Sequence, residues 1–171
     1  MLTNSYGDNF LVSRSDLDWQ SELLVHECEY DCFVLNTRNW LSVEQIRIVA
    51  MKLARSTCMW VEVFGCNSKL IHDAIDEASA DIGRQSKIGD GDPMTTWNEK
   101  PMTEAEFASY VWTGGQGTSD WKLILVIGEE DAERRLSAAI DSVASCSTPP
   151  EPKKGSGEPI KGSGADTPNI G

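Results

Sequence analysis

The sequence predicts an α/β fold: a single three-layer domain with a mainly parallel four-stranded sheet and helices on both faces. Three observations carry this. Short β-rich runs alternate with amphipathic helical stretches in the order βαβαβαβα. The run Lys122–Ile127 (KLILVI) is apolar almost throughout, as in a strand buried on both faces. Two capping-box pairs, Ser42 with Gln45 and Thr103 with Glu106, mark helix starts.

Taken in order, Phe10–Val12 is an additional N-terminal edge strand and Asp16–Leu24 (DLDWQSELL) a short helix. Phe33–Thr37 (FVLNT) is the first strand of the alternating series. Ser42 opens a helix in which Val43, Ile46, Val49, Ala50 and Leu53 share one face. Cys58–Phe64 (CMWVEVF) is a strand closed by Gly65. Asn67 or Ser68 caps the next helix, whose stripe is Leu70, Ile71, Ala74, Ile75, Ala78 and Ile82, and Gly83 stops it. After a loop with Gly89, Gly91 and Pro93, Met94–Trp97 (MTTW) is a short strand. Thr103 caps a helix with Phe107, Tyr110 and Val111 inward, ended by Gly114-Gly115. Asp131 caps the last helix, with Leu136, Ala139, Ile140, Val143 and Ala144 inward. Strand twist makes the crossovers right-handed.

The domain is assigned to residues 1–146. Residues 147–171 hold five prolines, five glycines and two GSG triplets, with only Ile160 and Ile170 as bulky apolar side chains. Such a segment cannot bury enough surface to offset its ordering entropy and is expected to be a flexible tail. The chain has 171 residues and a formal net charge of -12. The tail's three lysines cancel its three acids, so all of that charge belongs to 1–146. An acidic domain is a poor binder of duplex nucleic acid, whose phosphates need a basic face. There is no apolar run of transmembrane length and no secretory leader pattern. Five cysteines at irregular spacing do not form a disulfide framework, and reduced thiols in the cytoplasm are expected.

Cys58, the strand ending in Gly65-Cys66, the MTTW strand and the late aliphatic strand together resemble a small uncharacterised bacterial family of unknown function. The resemblance runs from Phe33 to Gly128, just over half of the chain, and implies no activity. The family pattern sets a His after the MTTW tryptophan. Asn98 stands there in this chain, so a catalytic role resting on that His does not carry over.

In parallel sheets ligands bind outside the carboxyl ends of the strands. Four strand-to-helix loops should meet on that rim: Thr37–Trp40, Gly65–Ser68, Trp97–Lys100 and Gly128–Asp131. Cys66 is the catalytic candidate, since a thiol between a strand and a helix start can be acidified by backbone N–H groups. The competing reading is a small turn residue. His72, the nearest imidazole in sequence, is turned away by about 240° of helix. Glu99, Glu129, Glu130 and Asp131 have the oxygen chemistry of a hard-cation site, but acids at a helix start complement its dipole without any ion. His26, Cys28 and Cys32 lack the fourth ligand of a structural zinc site. Gly114–Gly117 follows a helix, on the wrong side of the sheet for a phosphate loop. No metal and no cofactor are expected.

The function expected from this set is a non-enzymatic, acidic, protein-binding domain of toxin-neutralising (immunity-like) or phage-defence accessory kind. Its contact residues would be Arg38, Trp40, Trp97, Asn98, Glu99, Glu129, Glu130 and Asp131, and its partner a basic protein. Tryptophans at loop edges serve as interface anchors or close the sheet ends. Two alternatives stand beside it: a thiol-dependent enzyme or redox protein using Cys66, and a protein acting through the tail that ends in Gly171.

Overall fold

The computed structural model describes residues 2–3, 7–14, 29–82, 94–113, 115 and 117–146. They form β1 (Leu2–Thr3), β2 (Asn9–Arg14), β3 (Tyr30–Asn36), α1 (Val43–Ala54), β4 (Cys58–Gly65), α2 (Ser68–Ile82), β5 (Met94–Asn98), α3 (Glu104–Trp112), β6 (Trp121–Ile127) and α4 (Glu130–Cys146). The strands make one sheet in the order β1-β2-β6-β3-β4-β5. Five strands are parallel, and the two-residue β1 closes one edge antiparallel to β2. The fold is therefore the α/β sheet that the alternating pattern predicts, with the N-terminal strand lengthened to six residues and seated beside β6. The proposed helix at 16–24, the stop at Gly83 and the tail 147–171 lie outside the described residues.

Strand periodicity assigns the two faces. Cys32, Val34, Val61, Val63, Leu123, Leu125 and Ile127 meet the buried stripes of α1 and α2. Phe33, Leu35, Phe64, Ile124, Val126 and Phe10 meet α3 and α4. The second face is the aromatic one. Phe64 lies edge-on to Phe107, with ring centroids 5.2 Å apart, and Phe10 stacks on Trp112 at 5.1 Å.

Both capping boxes form. Gln45 N donates to Ser42 Oγ (3.2 Å) while Ser42 N donates to Gln45 Oε1 (3.1 Å). Glu106 N donates to Thr103 Oγ1 (3.2 Å) and Thr103 N to Glu106 Oε2 (2.9 Å). The caps proposed at Asn67 or Ser68 and at Asp131 are corrected: Ser68 is the first residue inside α2 and its hydroxyl bonds no backbone N–H. Asn67 has φ 57, not the extended backbone of a cap, and its amide donates to Asn39 O (3.3 Å). Asp131 lies inside the first turn of α4, where its carboxylate pairs with Arg135 one turn on.

The amino end of the sheet holds a buried ion pair. Asp31 on β3 and Lys122 on β6 are register partners, 0 and 2 % exposed. Lys122 Nζ donates to Asp31 Oδ2 (2.7 Å), and the same carboxylate accepts from Ser119 N (2.8 Å) and Ser119 Oγ (3.1 Å). The glycine-rich loop packs here. A Cβ on Gly117 would sit 2.1 Å from Asp31 Oδ2, and one on Gly115 would sit 2.4 Å from the Phe33 ring. Those glycines are needed for close approach at the end of the sheet opposite the strand-end rim.

Asp31→Ala should leave Lys122 as a buried charge without a counter-ion. A loss of about 3–5 kcal/mol in chemical denaturation is expected. A loss under about 1 kcal/mol would show that the pair contributes little beyond surface ion pairs.

Candidate functional site

The crossover helix after β3 packs on one face of the sheet, and α4 after β6 packs on the other. Because β3 and β6 are neighbours, their following loops diverge and open a crevice between them, the usual ligand position in such sheets. The loops are held together at its base. Thr37 N donates to Ile127 O (3.0 Å). Arg38 Nη2 donates to Gly128 O (3.0 Å) and stands 3.4 Å from Glu129 Oε1. A Cβ on Gly128 would overlap Thr37 Oγ1 at 2.4 Å, so a side chain there would force the loops apart.

Arg38 divides the crevice into two hollows. The one toward α4 is about 620 Å³ and is lined by Trp40, Glu129, Asp131 and Arg135. The one toward α1 is about 220 Å³ and is lined by Leu41, Ile48, Val49 and Ile127. Trp40 is 71 % exposed at the lip of the first. Glu129, Glu130 and Asp131 are exposed in the opening of α4. Arg135 is engaged by Glu104 (Nε to Oε1, 3.0 Å) and by Asp131. Glu104 is held below the usual carboxylate range by its own backbone N–H first, with Arg135 adding to it.

The other expected residues lie at the ends of β4 and β5. The Cys66 thiol is exposed and donates to Asn39 Oδ1 (3.6 Å), an amide rather than a base. Asn36 ties this corner to the crevice, accepting from Arg38 N (3.0 Å) and donating to Cys66 O. Asn98 Oδ1 accepts from Lys100 N (3.0 Å), which commits it to a local turn. Glu99 shares a shallow hollow of about 380 Å³ with Cys66, Lys69 and Asp73. The expected contact residues thus fall into two groups: Arg38, Trp40, Glu129, Glu130 and Asp131 at the crevice, and Trp97, Asn98 and Glu99 beyond β4.

Sequence reasoning missed a polar cluster between α2 and β5. His72 Nε2 lies 3.0 Å from Thr95 Oγ1, and His72 Nδ1 lies 3.1 Å from Asp73 Oδ1. Thr95 donates its hydroxyl hydrogen to Asp76 Oδ1 (2.6 Å), which directs that hydrogen away from the imidazole. The spatial order Thr–His–Asp is that of a hydrolase triad. The proton directions are not, because a nucleophile would have to donate to the imidazole. The cluster acts as a brace. Trp97 closes it, its ring 4.4 Å from that of His72 with Lys69 Nζ 5.6 Å from its centroid. The available signals were His72, Asp73 and Asp76 within one turn of α2, and the alternation that sets Thr95 and Trp97 on one side of β5.

A second buried acid lies under α3. Glu62 is 6 % exposed, and Tyr110 Oη donates to both of its carboxylate oxygens (2.9 and 3.0 Å). Burial pushes its pKa up, and the tyrosine hydrogen bond partly opposes this. Among the described residues, no group of three or more His, Cys, Asp or Glu side chains is placed to hold a metal ion. Cys32 is fully buried, and that burial, with Cys58 and Asp31 nearby, raises its thiol pKa well above the ordinary value. His26 and Cys28 lie outside the described residues. No described helix is long and apolar enough to cross a membrane.

Residues 15–143 match the family described as Domain of unknown function (DUF7684), and the chain belongs to that family. The match extends the Phe33–Gly128 resemblance in both directions. No curated protein and no solved structure matches the chain.

Thr95→Val should remove the hydroxyl that bonds both His72 Nε2 and Asp76 Oδ1 while keeping the side-chain shape. A loss of about 1–2 kcal/mol in urea unfolding is expected, and no loss would show that the brace is not structural. Glu62 supplies a pH test. Its folded pKa is raised, so its contribution is most favourable below the ordinary glutamate value and is lost as pH rises through the raised one. The stability of Glu62→Gln relative to wild type should therefore improve as pH rises from below the ordinary glutamate range through the raised folded pKa, read by denaturation at each pH. A flat difference would contradict the shift.

Proposed function

We propose that this chain is a non-catalytic protein-recognition domain that contacts its partner through the β3/β6 crevice. The observation that carries the reading is Trp40, 71 % exposed at the lip of a hollow with carboxylates beside it. A large aromatic ring held in water on a fixed loop gains most by entering an apolar recess on a partner. The exposed acids Glu129, Glu130 and Asp131 would steer a basic partner toward that ring and reject acidic ones. Arg38 is already engaged by Gly128 O and Glu129, so its part is to tie the two loops together at the base of the crevice.

The partner class that fits is a basic protein, as in toxin neutralisation or as an accessory component of phage defence. The surroundings of Cys66 favour recognition over thiol chemistry, since its thiol meets an amide oxygen and no base. The four described cysteines are all free thiols, two of them exposed, which fits work in a reducing compartment such as the cytoplasm.

Affinity capture from the source cell, with wild type and Trp40→Ala side by side, tests the proposal. Wild type should retain a stoichiometric basic protein that salt releases. Trp40→Ala should weaken that binding about tenfold or more without loss of folding. Capture of no stoichiometric partner, or equal binding by Trp40→Ala and by a Glu129→Lys/Glu130→Lys variant, would count against it.

A further inference from the structure

Helices α1 and α2 leave a groove between them on the side away from the sheet, about 600 Å³ in volume. Each helix returns the chain from the end of one parallel strand to the start of the next, so the two run parallel to each other. The groove includes the small side chains Ala50, Ala74 and Ala78. Val43, Leu70 and Ile82 stand along it, 80, 52 and 38 % exposed. Apolar side chains gathered on one helix pair form a surface that a partner can cover.

The charges along the groove are sorted by helix. α1 and its C-cap supply Arg47 and Arg55, and α2 supplies Asp73, Glu77 and Asp81. Asp73 pairs with Lys69. Among the described residues, no ion pair engages Arg47, Arg55, Glu77 or Asp81. The two rows have matching spacing: Arg47 and Arg55 are eight residues apart, as are Asp73 and Asp81, a separation of ~12 Å of helix rise.

We propose that this face is the interface of a homodimer, the occupant being a second copy related by a twofold axis that runs along the groove. That axis lays α1 of one copy on α2 of the other in parallel. Arg47 and Arg55 then meet the acidic row of the second copy, and the same contacts recur on the other side of the axis. An axis across the groove would lay α2 on α2, acids against acids. A basic helix from another protein would suit α2 but would set positive charge against Arg47 and Arg55. The segment 147–171, with three lysines and three acids, is neutral and has no such two-sided match. Two helices about 10 Å wide and about 20 Å long give a projected footprint on the order of 400 Å² per copy, so the dimer is of the weak, concentration-dependent class.

Sedimentation velocity of the full chain between about 10 and about 500 µM tests this. The 18.8 kDa monomer should give way to a species of twice the mass as concentration rises, and salt should reverse the shift. The double variants Arg47→Glu/Arg55→Glu and Glu77→Arg/Asp81→Arg change only exposed positions, and each should be monomeric. Mixing the two in equal amounts should restore the dimer, because each supplies the charges the other lacks. Val43→Glu, at a position 80 % exposed, should also give a folded monomer by circular dichroism. A wild-type chain that stays monomeric throughout, a dimer indifferent to these variants, or a dimer lost on deleting 147–171 would overturn the proposal.

Discussion

Strand β3 is buried along its whole length, so its polar side chains must find their partners inside the protein. Asp31 at one end takes Lys122 and Ser119. Asn36 at the other end takes the backbone of Arg38 and Cys66. Tyr30 donates to Ser56 Oγ (2.6 Å). An unpaired charge or amide in this strand would cost more than most single contacts contribute, so satisfying it constrains the neighbours. Lys122 must lie opposite Asp31, which sets the register of β6. Gly117 must stay small, which brings the loop before β6 against the start of β3. The loops after β3 and β4 must meet over Asn36, which ties the Cys66 corner to the edge of the crevice.

The same central position creates the crevice. A strand with parallel neighbours on both sides sends its following helix to one face, while β6 beside it sends its helix to the other. The gap between the diverging loops is a consequence of chain order. Trp40 and the acids of α4 occupy its mouth. Farther along the rim, Trp97 is drawn down onto His72 and Lys69, so its ring contributes to holding the edge strand β5. Two rim tryptophans, Trp40 four residues beyond the end of β3 and Trp97 within the end of β5, thus have different surroundings. The acidity is divided in a similar way. Part of it lines the crevice and part lines α2, where it faces the arginines of α1 across the groove.

The layer architecture, the strand and helix series from β3 onward, both capping boxes and the turn role of the glycine loop could be read from the sequence. Each rests on local pattern: alternation in a strand, a stripe on a helix, or a residue and its third neighbour. The caps expected at Asn67 and Asp131 do not form, because a cap depends on the backbone angle before the helix and on competing side-chain partners. Asn67 turned left-handed and reached for Asn39, and Asp131 found Arg135. The His72–Thr95 brace joins residues 23 apart across two elements, and no local pattern encodes that distance.

By itself the sequence determined the α/β class, the neutral segment at the C-terminus, the concentration of charge in 1–146 and the set of loops at the strand ends. These follow from composition and from periods of 2 and 3.6 residues, which are properties of neighbouring positions. Only the tertiary structure decided the strand order, and with it which loops share a crevice, that Asp31 and Lys122 form a buried pair, and that the expected contact residues split between two places on the rim. Those outcomes depend on which strands pair, and pairing is chosen by the burial of whole faces and the satisfaction of buried polar groups across the fold.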